Sequence, residues 1–285
     1  MNYRHAFHAG NHADVLKHVV LLALCDALLA KPAPVHAIDT HAGRGLYRLG
    51  GASAQRTGEA DDGIARLLAE GPRDPLLRRY MAAVAACRGE HGGDAYPGSP
   101  WLLAHALRGD DRIVCCETLP EEAAHLASVL AGDRRVRVHE GDGYAALRAL
   151  LPPRDGERRF GRGLVLIDPP YETRLAEFDD ALAAIRDGLR RFPQGVFALW
   201  YPIKLRRSLG PFQRRAADLP AKSVLQAEVM VRPDDSPLRM NGSGMLLVNV
   251  PWQLDVALAP ALAALAKALG ERDSSHRLHW LRSPA

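Results

Sequence analysis

Four residues near the middle of the chain, Asp168-Pro169-Pro170-Tyr171, combine a carboxylate, a stiff turn and an aromatic ring. They follow the apolar run Gly163–Ile167, which predicts a position at the carboxyl end of a buried strand. The exocyclic amine of a nucleobase is a weak nucleophile, because its lone pair is delocalised into the ring. It needs acceptors for both N–H bonds so that the lone pair can face a methyl donor. Asp168 and the carbonyl of Pro169, on a turn stiffened by proline, are candidates for these acceptors.

Tyr171 offers a flat face to a base pulled from its stack, a contact that contributes about 1–3 kcal/mol. The alternative is structural: a proline turn that ends a strand, with Tyr171 as packing. The position after a buried strand, downstream of a glycine-rich loop, favours the catalytic interpretation.

That loop is Asp39-Thr40-His41-Ala42-Gly43-Arg44-Gly45, directly after the first predicted strand. Its glycines allow a sharp turn and close approach to a ligand. The spacing is not that of a dinucleotide-binding G-x-G-x-x-G motif. A short acidic and glycine-rich turn suits the smaller S-adenosylmethionine, and a tight turn without a ligand is the alternative.

Carboxylates follow four predicted strands. Glu117 ends the second strand, where an acid accepts hydrogen bonds from ribose hydroxyls in nucleoside-binding folds. Asp142-Gly143 ends the third, where a side chain can reach the adenine end of a cofactor. With Asp39 and Asp168 they predict a line of acids along one sheet edge, and such acids are costly to bury unless they are paired.

The N-terminal segment is rich in histidine, and it runs from Tyr3 through His5, His8 and His12 to Lys17-His18. We expect Lys17 and His18 to face the carboxylate end of the cofactor, and Tyr3 and His5 to face the base. A metal site built from His5, His8 and His12 stays open as an alternative, although no cysteine or acid stands nearby at a firm ligand spacing. A polar segment leading into a helix is the other alternative.

Short apolar runs that alternate with helical patterns predict a parallel sheet covered on both faces. The last two strands lack a helix between them and are expected to form an antiparallel hairpin, with His276–Leu281 as a further edge strand. The seven main strands are predicted at Val35–Asp39, Arg112–Glu117, Val136–Glu140, Gly163–Asp168, Gly195–Tyr201, Ser223–Arg232 and Gly244–Val250. Helices are predicted at Ala13–Ala30, Pro120–Leu130, Gly143–Leu151, Leu175–Phe192 and Ala257–Leu269.

The first of these helices is predicted to be amphipathic. Asn11 is its expected cap and Asp14 lies in its first turn. One face gathers its apolar residues at helical spacing, namely Leu16, Val20, Ala23, Leu24, Ala27 and Leu28.

The first two strands are separated by about 70 residues, whereas a crossover needs little more than about 12. The surplus contains helical patterns at Asp61–Ala69 and Asp74–Cys87. It predicts an inserted helical subdomain of residues 48–93, beside a main domain of residues 1–47 and 94–285. An insertion at this point would overhang the strand ends where such folds bind ligands.

The bulk composition is that of an ordinary globular protein, with 285 residues, 47% hydrophobic and 25% charged. No run predicts a membrane span, and the polar N-terminus lacks a signal-peptide pattern, so we expect a cytoplasmic protein. The four cysteines are expected to be buried thiols. A formal net charge of +4 is compatible with nucleic acid and does not establish it.

Five motifs in order, Y-R-H-A-F-H-A-G-N-H-A-D-V-L-K-H, D-T-H-A-G-R-G, Y-P-G-S-P, I-D-P-P-Y-E and A-L-W-Y-P, resemble the bacterial large-subunit rRNA adenine-N6 methyltransferases of the RlmJ family. The likeness runs from Tyr3 to about Trp252. It is weakest over Asp61–Arg88, which leaves the details of RNA docking open. D-P-P-Y is shared more widely among amino-methyltransferases.

The resemblance implies a Rossmann-like class I S-adenosylmethionine-dependent methyltransferase with a mostly parallel seven-stranded sheet. It implies a monomer without an obligate protein partner or membrane, acting on one adenine of 23S rRNA. It makes Asp168 catalytic and places Tyr3 against the target nucleotide, assisted by His5 and Lys17. The residues it assigns to S-adenosylmethionine are His18, His41, Ser99, Glu117, Asp142 and Gly143.

Other functions stay open at this stage. A DNA adenine or cytosine amino-methyltransferase would use the same site, whereas a protein-glutamine methyltransferase usually has Asn before P-P-Y. From other classes, the chain could be a non-catalytic RNA-binding module or a metal hydrolase that uses the N-terminal histidines.

Overall fold

A computed structural model describes residues 8–51, 58–171, 176–237 and 240–284. Within these residues the main sheet has eight strands in the order β12-β10-β11-β9-β8-β1-β4-β5. The strands are β1 (His36–Asp39), β4 (Arg112–Glu117), β5 (Val136–Glu140), β8 (Gly163–Ile167), β9 (Val196–Ile203), β10 (Val224–Met230), β11 (Gly242–Val248) and β12 (Ser275–Arg282).

The five strands β9, β8, β1, β4 and β5 pair in parallel, which confirms the predicted Rossmann-like α/β fold. The strand order reverses between β1 and β8, and ligands bind at the carboxyl ends of the strands at such a switch point. β11 pairs antiparallel with both β9 and β10, so the expected terminal hairpin is confirmed.

β12 pairs antiparallel with β10 at the edge of the sheet and confirms the further edge strand predicted at His276–Leu281. The main sheet therefore has eight strands, one more than the expected seven. The charged, half-exposed residues of β12 give a weak strand pattern, and the partner strand decides their conformation. Two short ladders were not predicted. They join β2 (Leu46–Arg48) to β3 (Ala95–Pro97) and β6 (Arg154–Asp155) to β7 (Arg158–Arg159).

Helices cover both faces of the sheet. They are α1 (His12–Leu29), α2 (Arg66–Glu70), α3 (Pro75–His91), α4 (Ser99–Ala106), α5 (Pro120–Val129), α6 (Gly143–Leu150), α7 (Ala176–Arg191), α8 (Gly210–Ala217) and α9 (Leu254–Leu269). A π-helical turn, Asp61–Ala65, leads into α2. None of these helices is long and apolar enough to cross a lipid bilayer, and all four cysteines are buried and free.

The predicted amphipathic character of α1 is wrong. Every residue from His12 to Cys25 is buried, on all sides of the helix. A helix that is covered all round belongs to the interior, and α1 packs against β11, α3, α4 and α9. Its cap was predicted correctly, since the Asn11 side chain accepts hydrogen bonds from the backbone N–H groups of Ala13 and Asp14.

The segment of residues 48–93 leaves the main domain through the β2–β3 ladder, which holds its two ends side by side. The helices α2 and α3 bury Leu67, Leu77, Tyr80 and Val84 in the same core as α1. The segment therefore shares its hydrophobic core with the main domain. Its boundaries as a subdomain stay a prediction.

Candidate active site

The sheet brings the predicted line of carboxylates together at one edge. In the strand order β8-β1-β4-β5, the four acids follow one another as Asp168, Asp39, Glu117 and Asp142. Asp39 and Glu117 are the last residues of their strands, and Asp168 directly follows β8. The switch point of the sheet lies between Asp168 and Asp39.

The buried side chain of Lys17 forms an ion pair with one of these acids, Asp168, and with Asp14. The Lys17 Nζ atom lies 2.5 Å from Asp168 Oδ2 and 2.8 Å from Asp14 Oδ1. Burial opposes the charge of Lys17, but the two carboxylates outweigh it, and the pKa of the ammonium lies well above its ordinary value. Lys17 is therefore a cation at neutral pH that lies between two acids. Asp14 is three residues away from it in the sequence, and Asp168 is 151 residues away.

Asp39 lies fully buried beneath the loop that it begins. Burial raises the pKa of its carboxyl to about 6, and the nearby charge of Asp168 adds to the increase. Its Oδ1 accepts the backbone N–H of His41 at 3.3 Å, so the carboxylate shapes the loop from below. The structure thus gives Asp39 a supporting position, and its contact with the cofactor stays a prediction.

The variant Asp39→Asn should be more stable than the wild type at pH 7. A buried acid with a raised pKa holds its proton more tightly when folded than when unfolded. Wild-type stability therefore falls as the pH rises from about 4 to about 6, by about 2–3 kcal/mol. Denaturant unfolding of the ligand-free proteins from pH 4 to pH 7 measures this effect. The gain from Asp39→Asn should shrink at pH 4, whereas Asp235→Asn, at an exposed acid, serves as the control. A gain that does not change with pH would contradict the raised pKa.

A cavity of about 280 Å³ opens between the glycine-rich loop, the start of α4 and the end of β4. Seven of the predicted site residues line it, namely Lys17, His18, His41, Ser99, Glu117, Asp168 and Pro169. We call it the small cavity. Its size is near the lower end for small-molecule sites.

The loop and Glu117 are locked together at the mouth of this cavity. Glu117 Oε2 accepts the backbone N–H of Gly43 at 2.8 Å, and Oε1 accepts that of Leu119 at 2.8 Å. Gly43 has a φ of +59°, and a Cβ there would lie 2.4 Å from the Tyr47 hydroxyl oxygen. A fixed carboxylate beside side-chain-free backbone fits a nucleoside, because the acid can accept from ribose hydroxyls. The small cavity therefore fits the expected cofactor.

His41 is a neutral imidazole in this cavity, because burial lowers its pKa to about 4. The Thr40 hydroxyl donates to the carbonyl of Leu166 at 3.0 Å. The same oxygen therefore accepts from His41 Nδ1, at 2.7 Å. This assigns the proton to Nδ1 and leaves Nε2 as an acceptor.

His18 and Ser99 form the inner wall. His18 Nδ1 lies 3.2 Å from the Tyr96 hydroxyl, which lies 2.8 Å from that of Tyr80. Tyr80 belongs to α3, so the segment of residues 48–93 supports the site through this chain of hydroxyls. Ser99 begins α4 and is buried.

Asp142 and Gly143 lie outside the lining of the small cavity. Asp142 caps α6 instead, because its Oδ1 accepts the backbone N–H of Tyr144 at 2.8 Å. A Cβ at Gly143 would lie 2.0 Å from the carbonyl oxygen of Thr40. Gly143 therefore lets α6 begin directly against the loop. The predicted contacts of these two residues with the cofactor stay predictions.

A second cavity, of about 940 Å³, lies on the other side of Asp168-Pro169-Pro170. We call it the large cavity. Its aromatic floor is formed by Tyr171, Trp200, Phe178 and Phe212. The Tyr171 ring centre lies 4.8 Å from that of Phe178 and 5.7 Å from that of Trp200. The Tyr171 hydroxyl donates to the carbonyl of Trp200 at 3.0 Å, which fixes the ring.

Tyr3 and His5 lie outside the described residues, so their predicted contacts with the base stay predictions. His8 lies in the large cavity and pairs with Glu59, with Nδ1 2.9 Å from Oε1. This contact raises the pKa of His8, whereas burial lowers that of His12 to about 4. No group of three His, Cys, Asp or Glu residues within the described parts of the chain is arranged to hold a metal ion.

Sequence reasoning did not assign several residues of this site. Asp14 was taken as a helix-start acid, although its spacing of three from Lys17 on a helix could have indicated the pair. Trp200 lies in the A-L-W-Y-P motif but received no role, and Phe178 carried no pattern that distinguishes it from a core residue. Glu59 meets His8 and Asn11 only through the tertiary fold.

A family model described as RsmJ, Ribosomal RNA large subunit methyltransferase D, RlmJ, matches residues 32–282. A curated relative from Escherichia coli K12, named ribosomal RNA large subunit methyltransferase J, is 38% identical over 99% of both chains. A relative of the same name from Haemophilus influenzae is 36% identical over 99% of both chains.

The solved structure of protein LPL1258 from Legionella pneumophila is similar throughout. Its TM-score is 0.83 at 30% sequence identity, and the match covers 95% of this chain and 98% of that one. The similarity therefore extends over nearly all of this chain.

Proposed function

Because this chain belongs to the RlmJ family of ribosomal RNA large subunit methyltransferases, we propose that it methylates the N6 amine of a single adenine in 23S rRNA. Its fold is that of the class I methyltransferases, and its cofactor is S-adenosylmethionine. The proposal adds two details to this family membership: the methylated base, adenine, and the methylated atom, N6.

The observation that carries the proposal is the wall shared by the two cavities. Lys17, Asp168, Pro169 and Pro170 line both of them. The small cavity fits a nucleoside cofactor, and the large one offers aromatic faces to a base. A reacting amine and a methyl donor could therefore meet at Asp168, each coming from its own side.

The protein groups at the shared wall can accept the hydrogen bonds of an amine. Lys17 binds Asp168 through Oδ2, which leaves Oδ1 to accept one N–H bond of the amine. The carbonyl of Pro169 would accept the second N–H bond. With both bonds held, the nitrogen lone pair would face the small cavity. Positioning of this kind can supply about 7–11 kcal/mol of the barrier.

A base can reach this wall only when it leaves its stack, so we propose that the target adenine flips into the large cavity. Tyr171 would lie against the base, since its ring is fixed by Trp200 and Phe178. S-adenosylmethionine supplies the electrophilic methyl group when it is bound. A carboxylate is a weak base, so the amine would lose its proton after the transfer. We propose that the enzyme acts as a monomer.

The proposal predicts one new N6-methyladenosine in 23S rRNA. Mass spectrometry of rRNA digests from cells with and without the gene should show the modified nucleoside only when the gene is present. Purified protein should also transfer a tritiated methyl group to an unmodified 23S rRNA transcript and not to duplex DNA of matched length. Equal transfer to DNA would favour the rival DNA adenine methyltransferase. Tight RNA binding without any transfer would favour a non-catalytic RNA-binding module.

A further inference from the structure

The strand β9 and its continuation contribute side chains at alternate positions to the large cavity. These residues are Trp200, Pro202 and Lys204. Tyr201 and Ile203 point the other way and are fully buried. Because side chains alternate along a strand, the cation lies beyond the aromatic ring on the same face.

Lys204 differs in its electrostatics from the other basic residues of the large cavity. Four of these have acidic partners: Lys17 with Asp168, His8 with Glu59, Arg215 with Asp179 and Arg232 with Glu271. His12 is neutral at pH 7. Within the described parts of the chain, no acid lies within ion-pair distance of Lys204, which is exposed. Its charge is therefore available to a ligand.

The backbone around Lys204 is fixed although its side chain is exposed. The fully buried Asn241 donates from Nδ2 to the carbonyl of Lys204 at 2.8 Å. Two residues further on, the N–H of Arg206 donates to Asp234 Oδ1 at 2.6 Å, and its Nε donates to the fully buried Glu228 at 3.2 Å. A fixed anchor limits the entropy lost when a side chain binds a ligand.

We propose that Lys204 binds a backbone phosphate of the RNA substrate next to the flipped nucleotide. A nucleotide has a flat aromatic base and an anionic phosphodiester, and the cavity offers an aromatic floor and, beyond it, a cation that pairs with none of the described acids. The lining of the cavity also includes the acids Glu59 and Asp62, which disfavour a phosphate next to them. The inference rests on the proposed function and adds Lys204 as a residue that binds the RNA backbone.

The variants Lys204→Gln, Lys204→Arg and Lys222→Gln test this assignment. Lys222 is the matched control, because it is also an exposed lysine. It precedes β10 and lies near the start of β9, whereas Lys204 follows the end of β9, so the two lysines lie at opposite ends of these strands. The probe is an unmodified 23S rRNA transcript in the presence of S-adenosylhomocysteine. Binding is measured between about 50 and 200 mM salt.

We expect Lys204→Gln to weaken transcript binding about tenfold. The slope of log affinity against log salt should become less negative by about 0.7–0.9, the value for one lost phosphate contact. KM for the transcript should rise about tenfold, with kcat changed by less than about twofold. Lys204→Arg should keep most of the affinity, because it keeps the charge.

Equal affinity and equal salt slopes for Lys204→Gln and Lys222→Gln would overturn the assignment. A wild type that binds the transcript without methylating it would refute the proposed function instead. Since binding needs no turnover, a specific loss of affinity in Lys204→Gln would support the phosphate contact even then.

Discussion

Replacement of Asp168 by alanine or asparagine will reduce methyl transfer to the 23S rRNA transcript by at least about a thousandfold. Both variants remove the carboxylate that would orient the amine, and asparagine keeps the shape without the charge that pairs with Lys17. Binding of S-adenosylhomocysteine should stay within about threefold of the wild type, because Glu117 and the glycine-rich loop are held by their own hydrogen bonds.

Single-turnover methylation and calorimetric titration of the cofactor product separate these two effects. Asp187→Asn is a suitable control, because Asp187 of α7 pairs with Arg148 of α6 and with Arg191 of α7, away from Asp168. Near wild-type turnover of Asp168→Asn would refute the catalytic role of the carboxylate.

Replacement of Lys17 by methionine will destabilise the protein by about 3 kcal/mol or more and will also abolish activity. Removing one partner of a buried ion pair leaves an uncompensated charge, which costs about 3–5 kcal/mol. Asp14 and Lys17 are both nearly inaccessible, with 2% and 5% of their side chains exposed. Because the pKa of Lys17 is raised above its ordinary value, this contribution is present over the whole neutral range and is lost only at strongly alkaline pH.

Chemical denaturation at pH 7 measures the loss, with Lys222→Met as the matched control at an exposed lysine. The conservative variant Lys17→Arg should recover part of the stability and little of the activity, because the guanidinium is larger and planar. Equal unfolding free energies for Lys17→Met and the wild type would contradict the buried pair.

Local patterns were sufficient to locate the acids of the site. Asp39, Glu117 and Asp168 each follow a run of apolar residues, and parallel strands end at one edge of a sheet. The sequence alone could not show that Lys17 meets Asp168, because that contact joins segments 151 residues apart. It depends on how α1 packs against β11 and the neighbouring helices.

The wrong prediction for α1 has a physical origin. The helix was predicted to be amphipathic from the apolar residues that share one face at helical spacing. Its polar residues His12, Asp14, Lys17 and His18 are also buried, because they belong to the site and not because they are apolar. Asp142 caps α6, as Asp before a helical pattern often does, and its contact with the cofactor stays a prediction. Lys204 has no sequence signature, because its distance from the acids that the structure describes is a property of the assembled cavity.

The wall common to both cavities has a thermodynamic consequence. Lys17 and Asp168 line both cavities, so a ligand in one cavity that moves or polarises this pair would change the binding free energy in the other. Such coupling is reciprocal. Whatever factor S-adenosylhomocysteine imposes on the affinity for RNA, the RNA must impose the same factor on the affinity for S-adenosylhomocysteine. The order in which the two products leave then depends on the sign of a single coupling free energy.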